Sequence, residues 1–315
     1  MTKKRIFGYF IVFILLVVSI PVINLLFTKW REDVSPAKIP AGYVNDASYL
    51  NQTKIAKHID VPKDKQAIIQ QLSKLLKTAK DNRQKIAIAG AKHSMGGHTI
   101  YPDGIILNML PYNHMSLNEK ENILTVGSGA LWSDIIAYLD KHGKSVAVMQ
   151  ALSSFSVGGS ISVNGHGWQK NSPPVSSSVI TFTLMDHNGD IITCSRDENA
   201  ELFRLVIGGY GLLGIILDVK LGVVDNVALR YKNFVMPSNQ YLDYYQQYVT
   251  DNAQVNLVYG RLNVAANRFL DEATLNIYEQ VSNKIPAFDA AKTHEIQRLV
   301  LRSSVNSEYG KRQRW

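Results

Sequence analysis

Three glycine-rich segments hold the residues best suited to chemistry. The first runs Ala89-Gly90-Ala91-Lys92-His93-Ser94-Met95-Gly96-Gly97-His98 and follows a predicted strand. The second is Ser156-Val157-Gly158-Gly159-Ser160-Ile161-Ser162-Val163-Asn164-Gly165-His166-Gly167, and the third is Gly208-Gly209-Tyr210-Gly211-Leu212-Leu213-Gly214-Ile215-Ile216. Glycine lets a backbone approach a ligand closely, and consecutive N–H groups make nests for phosphate oxygens. Lys92 adds positive charge, and a neutral imidazole such as that of His93 is a nucleophile. Each loop alone also reads as an ordinary turn. None is a P-loop, because no Gly-Lys-Ser/Thr closes the spacing, and none opens a Rossmann unit with its acidic partner. Gly165-His166-Gly167 lacks the serine of a hydrolase elbow.

The remaining composition narrows the chemistry. Cys194 is the single cysteine, so neither an internal disulfide nor a multi-thiolate metal site can form. His98, His114, His142 and His187 show no metal-ligand spacing and read as surface or turn residues. The net charge of +8 lacks a clustered arginine stripe with interleaved aromatics, so nucleic acid is not an expected partner. Lys311, Arg312 and Arg314 read as a solvated basic end.

Strands and helices that alternate from residue 58 must position the loops. Ile68, Ile69, Leu72, Leu75 and Leu76 fall at helical spacing, with Pro62 and Asp64 suited to the helix start. Strands are predicted over Lys85–Ala89, Gly104–Met109, Ile123–Val126 and Ser145–Met149. A helix containing Trp132, Ile135, Ile136 and Leu139 follows Gly127-Ser128-Gly129, and Trp132 reads as core. Strands at Val179–Met185 and Ile191–Cys194 flank Asn188-Gly189, a hairpin signal. A helix over Glu201–Ile207 and a strand over Ile215–Val224 complete an α+β domain. Beyond Asp225 tyrosines become frequent and the glycine clusters stop, which predicts a second unit from residue 226.

The N-terminus has a different character. Ile6–Phe27 is uncharged and apolar, about the 20 residues a bilayer-crossing helix needs. Lys3, Lys4 and Arg5 precede it and Lys29, Trp30 and Arg31 follow, residues that favour the headgroup zone. A cleaved signal peptide and a buried core helix are the rival readings. The run exceeds the usual 7–15 apolar residues of a signal and ends in Phe-Thr-Lys-Trp, a poor cleavage site. The expectation is a single retained span, with the N-terminus cytoplasmic. Residues 29–54, with Pro36, Pro40 and Gly42, read as a linker.

Taken in order, the three loops resemble the FAD-binding domain of the vanillyl-alcohol oxidase family, the p-cresol methylhydroxylase (PCMH) type. Cytokinin dehydrogenases and sugar-alcohol or aldonolactone oxidases are nearest in motif. The resemblance covers roughly residues 55–225. It implies an α+β fold: a PCMH-type domain of two α/β subdomains, after an anchor (1–28) and linker (29–54), followed by a partial substrate or cap domain (226–315). It implies FAD held by Gly90, Ala91, Lys92, His93 and Ser94 in the first loop. His93 stands where the family histidine often bonds the flavin 8α-methyl. In the second loop the implied contacts are Ser156, Gly159, Ser160 and Ser162, then Gly165, His166 and Gly167; in the third, Ile215.

Two departures limit what the resemblance implies. Lys92 stands where the family usually has a glycine, and Ala89 where it often has an arginine. Ala151 stands where cytokinin dehydrogenases carry an aspartate base, so no catalytic base is named. The implied function is a membrane-anchored FAD-dependent oxidoreductase taking hydride from a C–H next to oxygen or nitrogen of a small organic substrate. A non-catalytic or truncated FAD-binding protein and an NADPH-dependent cell-wall reductase of the same fold are the alternatives.

Overall fold

The computed structural model describes residues 19–31, 39–282, 285, 295–305 and 307–315. Helix α1 covers residues 19–31. The expected span Ile6–Phe27 lies outside the described residues up to position 18. Among the described residues no helix is long and apolar enough to cross a membrane. The chain divides into two compact units, one containing Ile39–Arg230 and the other Tyr231–Glu279.

The first unit begins within the segment expected to be linker. Strands β1 (Tyr43–Val44) and β2 (Thr53–Lys54) pair antiparallel there. Asp46, between them, makes this an ordered element. Its carboxylate accepts from the Ser48 N–H and hydroxyl, the Asn51 amide and the Gly97 N–H. Short-range polar closure of this kind has no hydrophobic period to announce it.

Strand β3 (Lys57–Asp60), helix α2 (Lys65–Asp81), β4 (Ile86–Ala89) and β5 (Ile105–Asn108) form a parallel sheet in the order β3-β5-β4. Asp64 caps α2 by accepting from the Ala67 N–H at 2.8 Å. Ile68 and Leu72 bury the helix against Leu107 and Met109. β4 ends at Ala89, so the first glycine loop leaves the C-terminal edge of this sheet.

The second lobe comprises β6 (Met115–Asn118), β7 (Ile123–Gly127), α3 (Trp132–Asp140), β8 (Lys144–Val146), α4 (Val157–Val163), β9 (Val179–Met185), β10 (Ile191–Ser195), α5 (Ala200–Val206) and β11 (Ile215–Asp225). Its antiparallel sheet runs β10-β9-β11-β7-β6, with β8 on the end of β11. Trp132, Ile135 and Leu139 of α3, Val157 and Ile161 of α4, and Phe203 and Val206 of α5 share one core with Leu124, Val126, Phe182, Leu184 and Val219 of the sheet. Trp132 is core, as its size and apolar surroundings predict.

In the other unit β12 (Ala228–Pro237), α6 (Tyr241–Tyr245), β13 (Val255–Leu262) and β14 (Glu272–Val281) give a sheet ordered β12-β14-β13. Phe234, Tyr241, Tyr244, Tyr245 and Tyr248 pack against its core of Met236, Val249, Val255, Ala273, Leu275 and Ile277. The tyrosines that distinguish this region in sequence are therefore largely packing residues. Helices α7 (Glu295–Ser303) and α8 (Glu308–Arg314) follow.

Candidate cofactor cleft

The first, second and third glycine loops all contribute to one cleft in the Ile39–Arg230 unit. Its volume is about 300 Å³. The first loop supplies Gly90–Met95, His98 and Thr99. The turn after β7 supplies Ser128. Phe155, Ser156, Gly158, Gly159, Ser162 and Val163 come from α4 and its approach, and Tyr210, Gly211, Gly214 and Ile216 from the third loop and β11.

Close backbone approach builds the wall. A Cβ on Gly90 would lie 2.0 Å from the Ser156 hydroxyl oxygen and 3.0 Å from its Cβ, so a side chain there would displace the Ser156 hydroxyl from its present position. A Cβ on Gly158 would lie 2.9 Å from the Ser128 Cβ. The Val157 and Gly158 N–H groups donate to the Ala130 and Ser128 carbonyls, tying the start of α4 to the turn after β7.

Helical period sorts the second loop. Val157, Ser160 and Ile161 lie on the buried face of α4. Gly158, Gly159, Ser162 and Val163 face the cleft. Ser160 is consumed inside: its hydroxyl accepts from Trp132 Nε1 at 2.8 Å and donates to the Ser156 carbonyl at 2.9 Å. Ser162 donates its hydroxyl to the Gly158 carbonyl at 2.7 Å, and its own carbonyl accepts from the Tyr210 N–H.

His93 lies flat on Phe155, ring centroids 4.4 Å apart and planes inclined by 13°. Lys92 holds φ at +56°, in the left-handed region where the family pattern has glycine. Its ammonium lies 3.4 Å from His58 Nε2. The hydroxyls of Ser94, Thr99 and Ser128 are buried without a hydrogen-bond partner among the described residues.

A dinucleotide with a diphosphate suits this chemistry. The lining offers glycine-cleared backbone, a lysine, unpaired hydroxyl donors and an apolar wall for a flat ring. Comparison with known proteins agrees. A family described as FAD binding domain matches residues 67–195, which include the whole of the first two glycine loops.

The chain carries an FAD-binding domain. Cytokinin dehydrogenase 2 of Arabidopsis thaliana is 32% identical over 169 residues, 52% of this chain and 33% of that protein. L-gulonolactone oxidase of Bos taurus is 28% identical over 176 residues, 56% of this chain and 40% of that protein. L-galactono-1,4-lactone dehydrogenase 2, mitochondrial, of Oryza sativa subsp. japonica is 24% identical over 184 residues, 58% of this chain and 32% of that protein. The matched part of the chain spans about a third to two fifths of the length of these relatives.

Of the residues expected to hold FAD, Gly90, Ala91, Lys92, His93, Ser94, Ser156, Gly159 and Ser162 meet at the cleft of this domain. Ser160 does not line it, for the helical reason above. Gly165, His166 and Gly167 lie beyond the end of α4 and off the lining. The Gly165 carbonyl accepts from the Val175 N–H, and the His166 ring is exposed. The contact expected at Ile215 is one of the backbone, and its side chain turns away from the cleft. Successive strand residues face opposite sides, so Ile215 packs with Met185 and Leu217 while Ile216 lines the cleft. Phe155, Thr99, Ser128 and Tyr210 are not singled out as site residues by the sequence; Phe155 and Thr99 border glycine loops, Tyr210 lies within one, and Ser128 lies in Gly127-Ser128-Gly129.

Proposed function

We propose that the protein is a membrane-anchored FAD-dependent oxidoreductase that takes hydride from a C–H next to oxygen or nitrogen of a small organic substrate. The observation that carries this is the convergence of the loops of the FAD-binding domain on one cleft. Bound FAD supplies a two-electron acceptor for that hydride, later reoxidised by dioxygen or another acceptor.

The chain's own groups position and hold. Gly90, Ala91 and Lys92 offer backbone and charge to the diphosphate, and Ser94 a hydroxyl. Gly159, Ser156 and Ser162 form the facing wall. His93, oriented by Phe155, is the attachment point for a covalent bond to the flavin. Ile88, Met109 and Ile216 exclude water from the cleft floor. Ala151, exposed beside the second loop, supplies no acid or base.

The membrane assignment rests on the uncharged run Ile6–Phe27 and on the exposed side chains of α1. In that helix Ile20, Val22, Ile23, Leu26 and Phe27 are exposed, and Trp30 stacks on Phe27 with centroids 5.7 Å apart. Apolar side chains bounded by tryptophan and arginine suit a bilayer and its headgroup zone. Deleting residues 1–28 is expected to move the protein from the membrane pellet to the supernatant; retention in the pellet contradicts the anchor.

Purified protein is expected to be yellow and to lose its colour on reduction by a member of an alcohol, amine and lactone panel. Protein that binds FAD but is reduced by no panel member contradicts the enzymatic part.

A further inference from the structure

Helix α8 meets α1 through a polar contact. The Asn24 side-chain amide donates to the Gln313 side-chain oxygen at 3.0 Å. Asn24 stands three residues before Phe27, where the apolar run ends, or about 4.5 Å along a helix. Pro21, Asn24, Leu25 and Thr28 fall on one partly covered face of α1, while Ile20, Ile23 and Phe27 are exposed. Gln313 therefore touches α1 close to the level of Lys29, Trp30 and Arg31, the residues suited to a headgroup zone.

The charge of α8 faces outward. Glu308, its only acidic residue, accepts from the Ala266 N–H and from the Lys311 ammonium. Lys311 is thereby engaged within the helix, and Arg312 and Arg314 are exposed. With Lys29 and Arg31 they make four exposed basic side chains on two touching helices. A basic cluster of that size beside a membrane helix suits anionic headgroups, because each cation near the surface adds to the attraction. Helix α7 supports α8 closely: a Cβ on Gly310 would lie 1.9 Å from the Ser303 carbonyl oxygen. Exposed Ile296 and Leu301 of α7, and exposed Trp315, add the apolar side chains that interfacial helices carry.

We propose that α8 docks on anionic lipid headgroups beside the membrane helix, with Arg312 and Arg314 as the contacting charges. The proposal rests on the assignment of α1 to a membrane anchor and goes further, because an apolar span alone does not discriminate between headgroups. Each guanidinium offers a planar fork of donors to phosphate oxygens. In sequence Lys311, Arg312 and Arg314 read as a solvated basic end; the bond between Asn24 and Gln313 brings that end to the helix that enters the bilayer.

The test uses full-length protein with vesicles of phosphatidylcholine alone and of phosphatidylcholine mixed with phosphatidylglycerol. Flotation reports attachment to the vesicles, and hydrogen exchange followed by mass spectrometry reports the amides of α8. Wild-type protein is expected to float with both. Its α8 amides are expected to exchange more slowly on the anionic vesicles, by about fivefold for each arginine engaged, and high salt is expected to shrink the difference. Arg312→Gln combined with Arg314→Gln is expected to remove the difference, and Arg312→Lys combined with Arg314→Lys to keep most of it.

Equal exchange on the two vesicles, with flotation on both, overturns the docking and leaves the anchor standing. A glutamine variant that keeps the full difference overturns the role of the two arginines. Flotation with anionic vesicles alone, reversed by salt and lost in the glutamine variant, supports the docking and overturns the anchor. Protein that floats with neither overturns both. Slowing that follows protein concentration instead of lipid charge assigns α8 to a second copy of the chain and overturns its docking on lipid.

Discussion

The imidazole of His93 and the ring of Phe155 are stacked nearly parallel, centroids 4.4 Å apart, joining the first glycine loop to the approach of α4. Stacking fixes the plane of the imidazole and leaves its nitrogens at the edge. Aromatic pairs of this kind contribute about 0.5–1.5 kcal/mol beyond area burial. Phe155→Ala is therefore expected to slow flavin attachment about three- to tenfold without abolishing it, as read from the growth of denaturation-resistant flavin absorbance. His93→Ala is expected to abolish attachment while FAD still binds reversibly.

Lys92 shows how a local conflict can mark a site. A non-glycine residue in the left-handed region costs roughly 1–2 kcal/mol, and Lys92 sits there with φ of +56°. Lys92→Gly is expected to raise unfolding free energy by about 1 kcal/mol, set against the added chain entropy glycine brings to the unfolded state. The same change is expected to weaken FAD binding and flatten its salt dependence, because the cation proposed for the diphosphate is gone. Denaturant midpoints and FAD titrations at low and high salt check both effects.

Asp46 predicts an acid-labile loop. Burial alone would raise its pKa, but hydrogen bonds from Ser48, Gly97 and Asn51 outweigh that and hold the carboxyl below its usual 3.8. A folded-state pKa below the unfolded one gives stability that is present above 3.8 and lost as the pH falls through the folded value. Asp46→Asn is expected to reduce the dependence of unfolding free energy on pH from about 5 down to 2. It is also expected to increase hydrogen exchange at the Gly97 N–H, which donates to that carboxylate in the wild type.

Asp218 on β11 gathers three side-chain partners. It accepts from the Tyr112 hydroxyl at 2.6 Å and pairs with Lys65 and with His114, the last at 3.2 Å. Lys65 and His114 are exposed and can turn to water, whereas the buried Tyr112 hydroxyl would lose its partner, so Asp218→Ala is expected to cost about 1–3 kcal/mol in urea unfolding. Burial and the Asp218 carboxylate push the Tyr112 phenol above its usual 10.0. Its contribution to stability is then fully present below pH 10.0 and declines as the pH climbs past it. Asp218→Asn is expected to lower the Tyr112 titration midpoint in ultraviolet absorbance.

Periodic and punctuated features are legible in the sequence. The apolar spacing of Ile68 to Leu76 and the cap at Asp64 announce α2, and Asn188-Gly189 announces the β9–β10 turn. The glycine loops supply most of the cleft. The rest depends on geometry that glycine signatures do not encode. Helix α4 runs through the second loop and turns Ser160 inward, although its neighbours Gly159 and Ser162 face the cleft. The alternation of β11 turns the side chain of Ile216, and not that of Ile215, to the cleft. Strand β3 escapes a reading by pattern because His58 and Asp60 break any apolar run, while β6 does alternate, Met115 and Leu117 against Ser116 and Asn118, but over only four residues.

We propose that FAD occupies this cleft with His93 at the flavin. The most direct measurement is the visible spectrum of wild-type and His93→Ala protein before and after acid precipitation. The expected result is a flavin spectrum in both native proteins, with colour remaining in the wild-type precipitate and passing to the supernatant in the variant. A wild-type protein that is colourless and takes up no added FAD would overturn the assignment of FAD to this cleft.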